Sequence, residues 1–338
     1  MISSEPSTHG MKKELLNFGS ERKESLSLAL IDTRRVGLFI LRSIFLSRQQ
    51  NLRLPMKMVT DMSELREELG ELPSPLALVP TMGALHDGHF ALIRRARDFV
   101  SPGGAVAVSI FVNPMQFDRP EDLQAYPRRL QTDLESCRNL GADLVFAPEK
   151  KAIYHPDHST LITESLLTKH LCGATRPGHF DGVLTIVLKL LNIFQPDAVV
   201  FGDKDFQQLA LIRRMVRDLD LSTTIIGHPT VREEDGLAMS SRNTRLSPNQ
   251  RADAIRIPRA LRATRDLVVT GEVRPEVYLE SARNHLLQNA PEDFSIDYLE
   301  LVDPENLQPV KKVSPGCVLA TACYFGGVRL IDHVVLKR

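Results

Sequence analysis

The sequence predicts an α/β fold built on a parallel sheet, and three observations carry that reading. From Met58 onward, short apolar runs of strand length alternate with longer segments of helical periodicity, the pattern of βαβ units. The runs are apolar throughout, which suits strands covered on both faces. Polar stretches follow three of these runs directly, where parallel sheets bind ligands beyond the carboxyl ends of their strands.

Leu76–Val79 opens the series as a four-residue apolar run. Phe90 to Val100 (F-A-L-I-R-R-A-R-D-F-V) spaces its apolar residues at helical intervals, so a helix is expected over Gly88–Val100. Further strands are expected at Ala105–Val112, Asp143–Phe146, Ala198–Phe201 and Thr223–Ile226. Helices are expected at Leu130–Asn139, Val183–Phe194 and Phe206–Leu219, the last two following i, i+3, i+4, i+7. After Pro229 the pattern shifts. A polar loop (Arg232–Ser247) leads to helices at Asn249–Val269 and Pro275–Leu287, then to apolar segments at Ser295–Val302, Cys317–Tyr324 and Val328–Leu336. Residues 231–338 therefore read as a smaller α/β domain that closes a cleft against residues 58–230.

Residues 1–57 read as an accessory extension, largely disordered. Their apolar run Val36–Leu46 is too short to span a bilayer, and Glu5, Glu14, Glu21, Glu24 and Asp32 are too many acids for an organelle transit peptide. The 338 residues are 43% hydrophobic and 25% charged, ordinary for a globular protein. Forty-two basic residues balance 42 acidic ones, which argues against nucleic acid as a partner, and nothing points to a membrane. Four scattered cysteines without a C-x-x-C pair speak against disulfides and structural zinc, and for a cytoplasmic location.

The most informative stretch is Pro80-Thr81-Met82-Gly83-Ala84-Leu85-His86-Asp87-Gly88-His89, which places two imidazoles where a strand turns into a helix. The first N–H groups of a helix lack backbone partners and favour negative charge, so a triphosphate fits there. No Gly-Lys and no G-x-G occurs, which excludes a Walker A loop and a dinucleotide fingerprint. Two more strand ends carry Asn113-Pro114-Met115-Gln116-Phe117 and Gly202-Asp203-Lys204-Asp205-Phe206-Gln207-Gln208. Lys204 offers a point charge for phosphate. Gln116 and Gln208 suit a small polar substrate. Met239-Ser240-Ser241-Arg242-Asn243 sets hydroxyls and a guanidinium side by side as a phosphate clamp. Asp133 is a candidate Mg²⁺ ligand. Singly, each of these matches a solvated loop or helix cap equally well.

Taken together, P-T-M-G-A-L-H-D-G-H, V-S-I-F-V-N-P-M-Q-F, Y-P-R-R-L-Q-T-D-L, R-P-G-H-F-D-G-V, F-G-D-K-D-F-Q-Q-L and D-G-L-A-M-S-S-R-N are similar, in order and spacing, to the motifs of the pantoate–β-alanine ligase family. The resemblance runs from about residue 58 to the C-terminus. It implies a Rossmann-like nucleotidyltransferase domain with the H-x-G-H signature. The reaction it implies joins pantoate to β-alanine with ATP, through a pantoyl adenylate, in a Mg²⁺-dependent homodimer. It puts His86, His89, Lys204, Ser240, Ser241 and Arg242 on the ATP phosphates, Gly202 and Asp205 on the ribose, and the backbone of Val231 and Met239 on the adenine edge. Met82 falls between the substrates. Gln116 and Gln208 bind pantoate, with Asn113 and Arg176 at further substrate positions. The polar segment 118–131 is the expected lid.

Where many members of that family read H-E-G-H and G-E-K-D-Y, this chain has Asp87, Asp203 and Phe206. Thr132 stands where they carry an acid beside the metal-linked Asp, which weakens the assignment of Asp133. Two other readings remain open on the residues: a nucleotidyltransferase acting on a phosphorylated acceptor, and a catalytically silent binding or scaffold protein that keeps the fold.

Overall fold

The computed structural model describes residues 55–337. The extension expected over 1–57 lies outside them except for its last three residues. A six-stranded parallel sheet comprises β1 (Lys57–Val59), β2 (Leu76–Thr81), β3 (Ala105–Ile110), β4 (Leu144–Phe146), β5 (Ala198–Gly202) and β6 (Thr224–His228), in the order β1-β4-β3-β2-β5-β6. The chain winds from β2 outward to β3 and β4, then crosses to the far side of β2 for β5 and β6. Strand order thus reverses between β2 and β5, the position where open α/β sheets hold ligands.

Pro80 opens that crevice. Leu76 C=O accepts from Asp197 N–H, so alternation turns Leu76, Leu78 and Pro80 toward β5. Pairing of β2 with β5 stops at Leu78 and Val199, and Pro80, without an N–H, cannot extend it.

The helices of this part are α1 (Met62–Glu71), α2 (Asp87–Val100), α3 (Pro120–Gln124), α4 (Leu130–Asn139), α5 (Lys150–Ile153), α6 (Leu171–Thr175), α7 (His179–Phe194) and α8 (Phe206–Asp218). β1 and α1 were not expected, and the reason is burial. β1 buries only Val59, and α1 only Leu65, so neither writes a periodic apolar pattern into the sequence. α7 begins four residues before the expected Val183. Gly182 interrupts the helical pattern there, yet it is needed: a Cβ would sit 2.3 Å from Met115 O. Gly182→Ala is expected to force α7 off the Pro114–Gln116 turn and cost about 2–3 kcal/mol of unfolding free energy. An unchanged denaturation midpoint would refute this.

Beyond residue 230 lie α9 (Pro248–Asp253), α10 (Arg256–Arg265) and α11 (Pro275–Leu287), with an antiparallel sheet of β7 (Phe294–Val302), β8 (Val318–Phe325) and β9 (Val328–Val335). The single helix expected over Asn249–Val269 is two helices followed by a 3₁₀ turn at Asp266–Thr270. Pro258 explains the break, since it is tolerated in the first turn of α10 but not in the interior of a continuous helix. Residues from Pro55 on form one compact unit. An apolar cluster joins Val302, Val318 and Ala320 of the second sheet to Leu171, Phe201 and Leu209 of the first part. Glu300 adds polar links, accepting from Leu171 N–H at 2.8 Å and pairing with His170 at 3.1 Å.

Candidate active site

One cleft at the switch point collects the motifs. Met82, His86, His89, Asn113, Gln116, Arg176, Gly202, Lys204, Asp205, Gln208, Val231, Met239, Ser240, Ser241 and Arg242 all line it. Among the expected site residues, only Asp133 does not. α2 and α8 begin beside it, so two helix N-termini border the same space.

His86 is the N-cap of α2, with extended backbone (φ −140°, ψ 176°). Gly88 N–H donates to His86 Nδ1 at 3.2 Å, and His86 N–H donates to His89 Nδ1 at 3.4 Å. A backbone N–H can only donate, so both Nδ1 atoms carry lone pairs and the ring protons sit on Nε2. Burial, assisted by the charge of Lys204, holds His86 down to about 4. Burial first, then His86 and Lys204, hold His89 at about 3. Both rings are therefore neutral hydrogen-bond donors near pH 7. Lys204 sits in the Asp203–Asp205 turn after β5, its side chain 20% exposed and its ammonium 3.8 Å from Asp205 Oδ1. That distance leaves its charge available to a ligand.

The loop between β2 and α2 turns through two left-handed residues, Gly83 (φ 78°) and Ala84 (φ 50°). Asp133, in the first turn of α4, holds it there. Its two carboxylate oxygens accept from Ala84 N–H at 2.9 Å and Leu85 N–H at 2.8 Å, and the residue is 2% exposed. Each oxygen thus holds one backbone amide of the loop, a positioning role beside the metal role expected from the sequence. Among the described residues no group of three or more His, Cys, Asp or Glu side chains is placed to hold a metal ion. Asp133→Asn should lower the nucleotide-dependent rate by about tenfold, the scale of a misplaced loop, while leaving the Mg²⁺ concentration dependence unshifted. A higher Mg²⁺ requirement in that variant would support the metal role.

Gln116 is oriented from behind. Asn113, 1% exposed, donates through Nδ2 to Gln116 Oε1 at 3.2 Å and to Gly182 O at 3.0 Å, while its Oδ1 accepts from Tyr154 at 3.0 Å. With its oxygen held, Gln116 directs Nε2 toward Met82 Sδ, 3.0 Å away. Asn113 is thus a support for the glutamine rather than an open contact surface. His179 Nδ1–H donates to Gln116 O at 2.6 Å, and its Nε2 accepts from Arg176 at 3.2 Å. Burial holds this imidazole at about 4. The neighbouring glutamines separate by helical rotation. Both border the cleft, but Gln207 is 5% exposed and commits its amide nitrogen to Leu167 O and His170 O, whereas Gln208 is half-buried.

The polar loop after β6 is a short ladder. Met239 N–H donates to Val231 O at 2.9 Å, and Glu233 N–H to Leu237 O at 2.8 Å. These bonds occupy Met239 N–H and Val231 C=O. Asn243 braces the loop through Glu233 and Ala238 O, and Ser240 Oγ caps the 3₁₀ turn Ser241–Arg245.

Within the expected lid, three anchors lie in or beside α3. Asp118 accepts from Arg176 at 2.7 Å, Asp122 accepts from Arg242 at 2.8 Å and pairs with Arg245, and Tyr126 lies 3.4 Å from Ser241 Oγ. Asp122, Tyr126, Tyr154 and His179 were not among the expected site residues. Only Asp122 lies within α3 and each partner is distant in sequence, so no local spacing marks the lid anchors.

Comparison with known proteins gives a consistent result. The family model described as Pantoate-beta-alanine ligase matches residues 56–335. Pantothenate synthetase of Thermotoga petrophila is 44% identical over 278 residues, 82% of this chain and 98% of that protein. That of Trichlorobacter lovleyi is 46% identical over 284 residues, 83% and 99% of the two chains. Among solved structures, pantothenate synthetase from Thermus thermophilus superposes with a TM-score of 0.78 at 42% identity, covering 84% of this chain and all of that one. A pantoate-beta-alanine ligase from Francisella tularensis, complexed with beta-gamma ATP and beta-alanine, gives a TM-score of 0.69 at 35% identity over 83% and 97%.

Proposed function

The chain belongs to the pantoate–β-alanine ligase family, and from that premise we propose how its cleft divides the work of the reaction. The reaction is the ATP-dependent ligation of pantoate and β-alanine through a pantoyl adenylate. In the first step a pantoate carboxylate oxygen bonds to the α-phosphorus and the bond to the β-phosphate oxygen breaks, releasing pyrophosphate. In the second, the β-alanine nitrogen bonds to the acyl carbon, the acyl–oxygen bond to AMP breaks, and the nitrogen loses a proton.

Neither step needs a protein nucleophile, so alignment and charge stabilisation supply the rate. The observation that carries our assignment is the pair of capped imidazoles: two neutral rings with Nε2–H free, beside Lys204, at two helix N-termini. His86, His89 and Lys204 then bind the phosphates from one wall, and Ser240, Ser241 and Arg242 from the other. Gln116 and Gln208 read pantoate, with Arg176 and the Asn113-held turn behind them. Met82 lies between the substrates, and Gly202 and Asp205 border the ribose. Val231 N–H and Met239 C=O match the acceptor and donor of an adenine edge.

Residues 231–338 act in this proposal as the smaller domain that closes the cleft. Magnesium enters with ATP as part of the substrate, and no step runs through a protein-held ion. The same reading makes the protein a cytoplasmic homodimer. No described helix is long and apolar enough to cross a membrane. Light scattering on the purified chain tests the dimer.

The assignment is tested by following pyrophosphate and AMP separately. ATP, Mg²⁺ and pantoate should yield pyrophosphate, and β-alanine should then release AMP with formation of pantothenate. No AMP release on adding the amine would defeat the ligase reading. Nucleotide transfer to a phosphorylated acceptor would favour the alternative transferase.

A further inference from the structure

We infer that Asp122 is a positioning residue for Arg242, through which closure of the lid completes the phosphate clamp. The inference rests on the proposed role of Arg242 at the ATP phosphates.

Asp118 precedes α3, Asp122 lies within it and Tyr126 follows it. Each lands on a residue of the proposed substrate machinery: Arg176, Arg242 and Ser241 respectively for 118, 122 and 126. Arg119 adds a contact to the far wall, its guanidinium 5.7 Å from the centre of the Tyr324 ring. Of the two carboxylates Asp122 is the better enclosed, its side chain 17% exposed against 30% for Asp118, and it lies between Arg242 (24%) and Arg245 (25%). One oxygen accepts from each arginine, Oδ2 from Arg242 Nη2 and Oδ1 from Arg245 Nη1.

The contact to Arg242 is a charge-assisted hydrogen bond that anchors one corner of its guanidinium. It uses one Nη atom of Arg242 and leaves the other N–H groups for a ligand. Burial by itself would raise the Asp122 carboxyl, but the two guanidiniums outweigh it and hold it below the usual carboxylate range. Asp122 therefore stays ionised at neutral pH and keeps its grip. Arg242 is carried on the loop after β6 and Asp122 on the lid after β3, 120 residues earlier. Only a lid lying over the cleft can bring them together. Aligning Arg242 by this route means that the clamp is complete only when water is shut out, which protects an adenylate from hydrolysis.

The test is Asp122→Asn in the full-length enzyme. Loss of the charge should lower kcat for pyrophosphate release by about 10–50-fold, with less than about threefold change in KM for ATP, as for an interaction used mainly in the transition state. Asp122→Glu should recover part of the loss. AMP release without β-alanine should rise relative to pyrophosphate release: water bonds to the acyl carbon, the acyl–oxygen bond to AMP breaks, and pantoate is regenerated. The decisive comparison is the double variant. If Asp122 acts through Arg242, Asp122→Asn added to Arg242→Ala costs no more than Arg242→Ala alone. Additive losses, or a wild-type rate in Asp122→Asn, would overturn the inference. A wild-type rate in Arg242→Ala would instead overturn the phosphate role on which it rests.

Discussion

Lys204→Ala is expected to slow pyrophosphate release by about 10²–10³-fold, roughly 2.7–4 kcal/mol of barrier, the scale of removing one charge-stabilising donor from an enclosed site. The size follows from position. The ammonium stands where strand order reverses, its side chain only 20% exposed, with its nearest carboxylate at 3.8 Å. The other cations that line the cleft come from other elements, Arg119 from the lid, Arg176 from the turn between α6 and α7, Arg242 from the loop after β6 and Arg329 from β9. His86 and His89 do not supply a second cation, because burial is the largest cause that keeps both rings neutral. The loss should appear in single-turnover pyrophosphate release and leave the KM for β-alanine nearly unchanged, since the amine enters after pyrophosphate has gone. Lys204→Arg should recover only part, as a planar fork replaces a point charge. A near-wild-type burst in Lys204→Ala would mean that the phosphates lie elsewhere.

The sheet and its three ligand-bearing strand ends were legible because local pattern records them. β2, β3 and β5 are buried on both faces and read as unbroken apolar runs, and the H-x-G-H of α2 is compact enough to recognise as a unit. What escaped depends on contacts distant in sequence. Asp133 reaches Leu85 and Ala84 from 48 and 49 residues away, and nothing in L-Q-T-D-L distinguishes a loop clamp from a metal ligand. Asn113 looks like one more polar residue at a strand end until Tyr154, Gly182 and Gln116 enclose it. Gly182 itself argued against a helix, and only the approach of Met115 shows why a glycine belongs there. The sequence also could not say which nitrogen of each imidazole faces the cleft, although the chemistry turns on it.

That last point yields the second large effect. His86→Asn keeps an acceptor near the Nδ1 position, where it can still cap α2, but removes the Nε2–H donor. Its adenylation rate should fall by about 10²-fold or more, with stability nearly intact because Asn is a favourable N-cap. His86→Gln extends an amide nitrogen toward the Nε2 position and gives up the cap. It should lose less rate and more stability, about 1 kcal/mol. The pH dependence separates this account from one in which the ring works as a cation. The unfolded ring takes up a proton near its ordinary value of 6.5, whereas the folded ring does so only near 4. Between those values the unfolded state holds more protons, so His86 makes the fold more stable as pH rises through this window. Its contribution is complete above 6.5 and is lost as pH falls toward 4. In His86→Asn the slope of stability against pH across that window should drop by up to one proton, and the adenylation rate of the wild type should show no limb from this ring between about pH 6 and 8. A wild-type limb near 6.5 that vanishes in the variant would show that His86 acts charged, and the capped, neutral pair would have to be abandoned.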